Sequence, residues 1–287
     1  MTAALTLRAA MAAVFSWLLT ASPAQAWNEE GHRIVALVAV HYLDPAVRQK
    51  VEAMLAADPE PTSKHDVASE SLSAGKANDA DGTWRNVPLE LDHPDLAKAC
   101  LGHPALPAGI PASRGPADCA VDKIDQFANE LSSGTVSPAE KLLALQYLLG
   151  LVADLHQPVY ASDDHNDGGE TTRVAGGGAD PGSLRHYWDA EFIDYLGDDP
   201  AAIADDLADG IRQSKTFDRM SAGTPQDWAM ESFALARDHA YGKLPPKKPD
   251  GACDLPPDYV TDAIETVRLQ LARAGVRLAG LLNRALK

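Results

Sequence analysis

The chain is short of positive charge. Lysine and arginine number 25 against 41 aspartates and glutamates, giving a formal net charge of −16 and a pI near 4.8. This balance excludes a generic basic surface that holds nucleic acid by counterion release. A polyanionic substrate would need local positive charge, from a metal or a few arginines, inside a repelling field. For most of these carboxylates, solubility is explanation enough. Cysteine is also scarce: Cys100, Cys119 and Cys253 are an odd set, and none are spaced as thiolate zinc ligands are, so their role is read as structural. Cys100 and Cys119 flank a Gly/Pro-rich segment and could close it into a loop, while Cys253 could compete for either partner. Strand-like alternation is scarce, no internal repeat stands out, and no linker divides the chain. Beyond residue 26 no apolar run approaches the ~20 residues of a membrane span.

What is present begins at the amino terminus. Residues 1–26 carry Arg8, an apolar stretch through Phe15, Trp17, Leu18 and Leu19, and a small-x-small ending, Ala24-Gln-Ala26. This is the pattern of a cleaved signal peptide, and Arg8 and Pro23 leave too short a run for an anchor. Cleavage after Ala26 gives a soluble, secreted or periplasmic domain over 27–287, starting with Trp27 five residues before His32. About 260 residues suffice for one large domain.

Periodicity is helical almost throughout, which predicts an all-α, single-domain, multi-helix bundle. Helices are expected over 30–42, 44–56, 117–132, 138–156, 184–196, 200–214, 225–241 and 257–285. The segment 138–156 is apolar nearly all round, as a central buried helix would be. Loops are expected at 59–64, 101–116, 161–183 and 243–256.

Chemistry is sought where polar groups interrupt these helices. Asp154 stands among apolar neighbours and must be paired, hydrogen-bonded or metal-bound, since burying an isolated charge costs several kcal/mol. His156 lies two residues on, about 200° around the helix, so the two point apart. His32 alone reads as a core histidine. A free Trp27 amine changes that reading, because the amine and its own carbonyl oxygen form a five-membered chelate and the amine titrates near ~8.

Six ordered segments carry a resemblance: Trp27-Asn-Glu-Glu-Gly-His32, Ala77-Asn-Asp-Ala-Asp81, Ala153-Asp-Leu-His-Gln-Pro158, Asp167-Gly-Gly169, Leu184-Arg-His-Tyr-Trp-Asp189 and Ala274-Gly-Val-Arg-Leu-Ala-Gly-Leu-Leu-Asn283. The chain resembles the zinc-dependent single-strand nucleases of the mung-bean type, which share their all-helical fold with bacterial zinc phospholipase C. The resemblance implies up to three zinc ions in a cleft and attack of a water on a phosphodiester to give 5′-phosphate products. It assigns Trp27, His32, Asp81, Asp154 and Asp189 as metal ligands; Asp81 is also read as catalytic, and Arg185 and Asp92 as substrate-binding.

The same resemblance marks this chain as a divergent member. Four histidines of the family are replaced, by Gly150, by Tyr160, by Arg185, and by Leu89 or Glu90. The ion bound by Trp27, His32 and Asp154 keeps its whole set, a second keeps Asp81 and Asp154, and the third keeps only Asp189. His93, His156, His165 and His186 are candidates to compensate. Arg185 could pair with Asp189 as a fixed charge in place of a metal.

Two functions follow. One is a secreted phosphodiesterase acting on single-stranded DNA, RNA or nucleotides with one zinc ion, as a monomer without a protein partner or membrane insertion. The alternative is a catalytically impaired relative that keeps one metal and binds a nucleotide, lipid or protein.

Overall fold

The computed structural model describes residues 26–61, 64–73, 84–116 and 118–287. The leader before Ala26 and the segment containing Asp81 lie outside the described residues. Helices dominate: α1 (Glu29–Tyr42), α2 (Pro45–Leu55), α3 (Val67–Glu70), α4 (Leu96–Ala99), α5 (Ala120–Ser132), α6 (Pro138–Leu155), α7 (Leu184–His186), α8 (Phe192–Asp194), α9 (Pro200–Ser214), α10 (Phe217–Ser221), α11 (Pro225–Leu235) and α12 (Pro257–Ala285). The all-α class holds. Among the described residues no helix is long and apolar enough to cross a membrane.

Local chemistry explains most of the boundaries. Ser137 caps α6 by accepting from the Glu140 amide, with Pro138 in the first turn, where its missing N–H costs nothing. Thr224 and Asp227 form a reciprocal capping box at the start of α11. The second half of α6, from Ala144 to Leu155, is buried except for Gln146, as its apolar pattern predicts, and it packs against α5, α12 and α1.

Two expectations need correction. The loops at 161–183 and 243–256 contain a small sheet of order β2-β1-β3, built from β1 (Arg173–Gly176), β2 (Ala179–Ser183) and β3 (Cys253–Leu255). β1 pairs antiparallel with β2, Arg173 opposite Ser183, and parallel with β3, Val174 opposite Cys253. These strands are too short and too rich in Gly and Pro to show alternation; their pairing comes from long-range contact. The expected helices over 184–196 and 225–241 each contain a π-helical stretch, Tyr187–Glu191 and Ala236–Tyr241.

α1 and α12 pack against each other along an extended crossing. A Cβ on Gly275 would come 2.4 Å from Val38 Cγ1 and 3.0 Å from the Val35 carbonyl oxygen. Gly275→Ala therefore overpacks the crossing and is expected to cost about 1–3 kcal/mol of stability, read from the urea midpoint. An unchanged midpoint would show that the crossing can widen.

Cys100 and Cys119 are bonded to each other, and Cys253, buried in β3, is unpaired. The bridge ties the end of α4 to the start of α5. Beside it lies a buried ion pair, Lys123 Nζ 3.5 Å from Asp118 Oδ1, and Lys123 also donates to the Ala112 carbonyl at 2.7 Å. Replacing both cysteines with serine is expected to cost about 3 kcal/mol, because the bridge closes a loop of about twenty residues in the unfolded chain. Chemical denaturation of oxidised wild type and the double variant measures it.

Candidate metal centre

The centre begins at the amino-terminal junction. Asn28 caps α1 by accepting from the Gly31 amide at 2.9 Å, and Glu29 and Glu30 in the first turn suit the helix dipole. A Cβ on Gly31 would lie 2.7 Å from both Trp27 Cβ and Ile193 Cδ1, so a glycine at this position lets Trp27 fold back over the helix. Trp27 is wholly buried and its Nε1 donates to the Ala153 carbonyl at 2.9 Å. Asn28 donates its amide to the Asp189 carbonyl at 2.8 Å. These bonds set Trp27 against the C-terminal turn of α6, beside Asp154.

Asp154 is fully buried, and its two oxygens face different partners. Oδ1 accepts from the Ala26 amide at 3.2 Å and lies 3.2 Å from His32 Nε2. Oδ2 accepts from Arg85 Nη1 at 2.8 Å. Burial works to raise this carboxyl, but Arg85, His32 and the Ala26 amide outweigh it and hold it below the usual carboxylate range, so it is an anion.

His32 carries the fit to a metal. It is wholly buried, its Nε2 lies 3.2 Å from Asp154 Oδ1, and its Nδ1 makes no hydrogen bond among the described residues. A buried polar group left without a partner costs about 1–3 kcal/mol. An imidazole with an open nitrogen beside an ionised carboxylate is a donor pair suited to zinc.

Asp189 sits within the π-helical stretch, an insertion that commonly re-aims a side chain at a functional site. Its Oδ1 accepts from Gln157 Nε2 at 2.5 Å, while Gln157 Oε1 accepts from the Val159 and Tyr160 amides. Burial pushes the Asp189 carboxyl well up, against the lowering effects of Gln157 and Arg185. Tyr160 is buried, and burial with the Asp189 and Asp154 charges raises its phenol.

Arg185 does not bond to Asp189. Its guanidinium lies 5.2 Å from the Tyr160 ring centroid and donates to the carbonyls of Gly168, at 3.0 Å, and Asp167. A Cβ on Gly168 would lie 2.5 Å from Arg185 Nη2, so the glycine makes room for the arginine. Gly168 and Gly169 have φ of +56° and +85°, the turn conformation their sequence implied. Arg185 therefore clamps this loop, whose carbonyls compete successfully for the guanidinium.

The four candidate histidines are engaged elsewhere. His93 contacts the Asp92 carbonyl, His186 lies 3.0 Å from Glu191, and His165 sits 3.2 Å from Glu90 and 3.8 Å from Asp92. Asp92 is thus exposed beside His165, and Leu89 is wholly buried. His156 points away from Asp154 as its helical position predicts: Nδ1 contacts the Val152 carbonyl at 2.7 Å and Nε2 faces Arg277 Nη1 at 2.9 Å. Among the described residues, three other donor groups could hold a metal: Glu90/Asp92/His165, Asp58/His65/Glu70 and Cys100/His103/Asp122, the last with its cysteine in the disulfide.

Burial, followed by the charge of Arg277, holds the His156 imidazole well below its usual 6.5. The unfolded chain binds a proton that the folded chain refuses, so this contribution to stability is present above 6.5 and is lost as pH falls towards the folded value. The wild-type urea midpoint is expected to drop between about pH 7.5 and 5.5, and the drop to be smaller in His156→Gln. Equal drops would remove His156 as the cause.

Two residues escaped the sequence reading. Arg85 carries no local mark as the partner that a buried Asp154 needed. Gln157 was visible only within the His-Gln-Pro resemblance, not as the donor that fixes Asp189.

Helices packed around a buried Trp27, His32 and Asp154 are the frame that comparison with known proteins makes specific. The S1/P1 nuclease family profile matches residues 27–287, and the chain belongs to that family. It is similar to Endonuclease 2 of Arabidopsis thaliana, 26% identical over 97% of each chain. It is also similar to Nuclease P1 of Penicillium citrinum, 24% identical over 90% of this chain and 97% of that one.

Proposed function

We propose that the chain, cut after Ala26, is an exported endonuclease for single-stranded nucleic acid, working at a centre that holds one zinc ion. The buried His32, with Nε2 3.2 Å from Asp154 Oδ1 and Nδ1 without a hydrogen bond among the described residues, is the observation that carries this reading. The Trp27 amine and carbonyl, His32 Nε2 and Asp154 Oδ1 would hold the ion. Bound there, zinc supplies Lewis acidity towards the phosphoryl oxygen and makes a water acidic enough to attack near neutral pH.

The chain's own groups do the remaining work. Asp81 positions the attacking water and takes its proton as the new oxygen–phosphorus bond forms. The phosphorus–O3′ bond breaks, and the leaving oxygen takes up a proton to give a 3′-hydroxyl and a 5′-phosphate. Arg185 brings a positive charge to the rim, where the overall field of the protein repels a polyanion. Asp92, exposed beside His165, contacts the substrate. Asp189, anchored by Gln157, supports the site from the α7–α8 side, the remaining carboxylate of a family position that has lost its histidines.

Metal analysis of the processed protein, with assays on single-stranded DNA, RNA and phospholipid, tests this. One zinc per chain with hydrolysis of single-stranded nucleic acid is the expected result. Three ions with rapid hydrolysis would overturn the one-ion centre, and one ion without phosphodiester cleavage would overturn the enzyme.

A further inference from the structure

Asp154 would be shared by two cations. Segment 85–91 runs hydrogen-bonded beside 160–163, the Val87 amide donating to the Tyr160 carbonyl at 2.9 Å, the Asp163 amide to Leu89 at 2.8 Å and the Leu91 amide to Asp163 at 2.9 Å. This pairing delivers Arg85, whose side chain is 3% exposed, to the oxygen of Asp154 that does not face His32. Around Asp154 the chain offers no imidazole but His32: Gly150, one turn earlier on α6, has no side chain, and Tyr160 is a phenol kept protonated.

We infer that Arg85 is a resident cation of this centre, its guanidinium occupying Asp154 Oδ2 so that the carboxylate serves a single metal ion through Oδ1. This rests on the one-zinc reading of the site. A guanidinium is charged at every working pH and cannot dissociate into solution, so it keeps a buried carboxylate compensated whether or not metal is bound. It also opposes the metal. A divalent ion on one oxygen and a guanidinium on the other are like charges a few ångströms apart in a buried site, where their repulsion is weakly screened. The guanidinium leaves Asp154 a poorer zinc ligand than it would be alone.

The test separates charge from hydrogen bonding. Arg85→Gln keeps an N–H for Asp154 Oδ2 and removes the charge; Arg85→Lys keeps the charge. Zinc affinity of each processed chain is measured by competition with a chromophoric chelator. Arg85→Gln is expected to bind zinc at least about tenfold more tightly than wild type, with Arg85→Lys close to wild type. Equal or weaker binding by Arg85→Gln would make Arg85 a mere clamp and overturn the inference while leaving the one-zinc reading intact. Should wild type bind no zinc and Arg85→Gln bind it, the inference stands and the one-zinc reading of wild type falls; binding by neither overturns both. Wild type needs no variant for a second check: two tightly held zinc ions per chain would show that Arg85 does not occupy the second cation's place.

Discussion

A chain that keeps Ala26 ahead of Trp27 is expected to bind zinc about a hundredfold more weakly than the chain that begins at Trp27, or worse. A free α-amine with its own carbonyl makes a five-membered chelate, whereas a peptide nitrogen at the same place has no lone pair to offer. The structure adds a second cause. In the uncut chain Ala26 is wholly buried and its amide donates to Asp154 Oδ1, the oxygen that faces His32. The retained residue thus both removes a donor and occupies another. Zinc titration of two preparations differing only at this residue decides it, and equal affinities would eliminate the terminal chelate and with it the proposed metal position.

Asp154→Ala is expected to lose zinc binding and about 3–5 kcal/mol of stability in the absence of metal. The stability loss comes from Arg85, left buried without the carboxylate that neutralises it, and from His32, which loses its nearest polar neighbour. Asp154→Asn, which keeps the shape and an acceptor oxygen, should fall between. Denaturation with and without zinc separates the two effects. Wild type should gain stability from zinc and Asp154→Ala should not. A variant that retained zinc would place the metal elsewhere, for example at the Glu90, Asp92 and His165 group.

Much of this protein was legible in its sequence. The helical period and the apolar run of 138–156 are local signals, and each produced the element expected. Asp154 could be singled out because a carboxylate among apolar residues is costly wherever the chain folds. The opposed directions of Asp154 and His156 followed from helix geometry alone, and the structure turns His156 to Arg277. The closed Cys100–Cys119 loop was one of the pairings the spacing allowed.

The partners of these groups were not legible. Arg185 lies four residues before Asp189, and a regular helix would set the two on one face; the π-helical stretch over Tyr187–Glu191 and the carbonyls of Asp167 and Gly168 send the guanidinium elsewhere. Arg85 reaches Asp154 across sixty-nine positions of chain, through backbone pairing of 85–91 with 160–163 that leaves no periodic mark. The short sheet was hidden for the same reason.

By itself, then, the sequence determined most of the helices and the burial of the Asp154 carboxylate, because period and burial cost act locally along the chain. Only the tertiary structure decided which group answers each carboxylate: the Arg85 guanidinium on Asp154, and the neutral Gln157 amide rather than a hydrogen bond from Arg185 on Asp189. A buried charge fixes that it must be compensated, but the compensating group is whichever one the packed backbone brings within hydrogen-bonding distance.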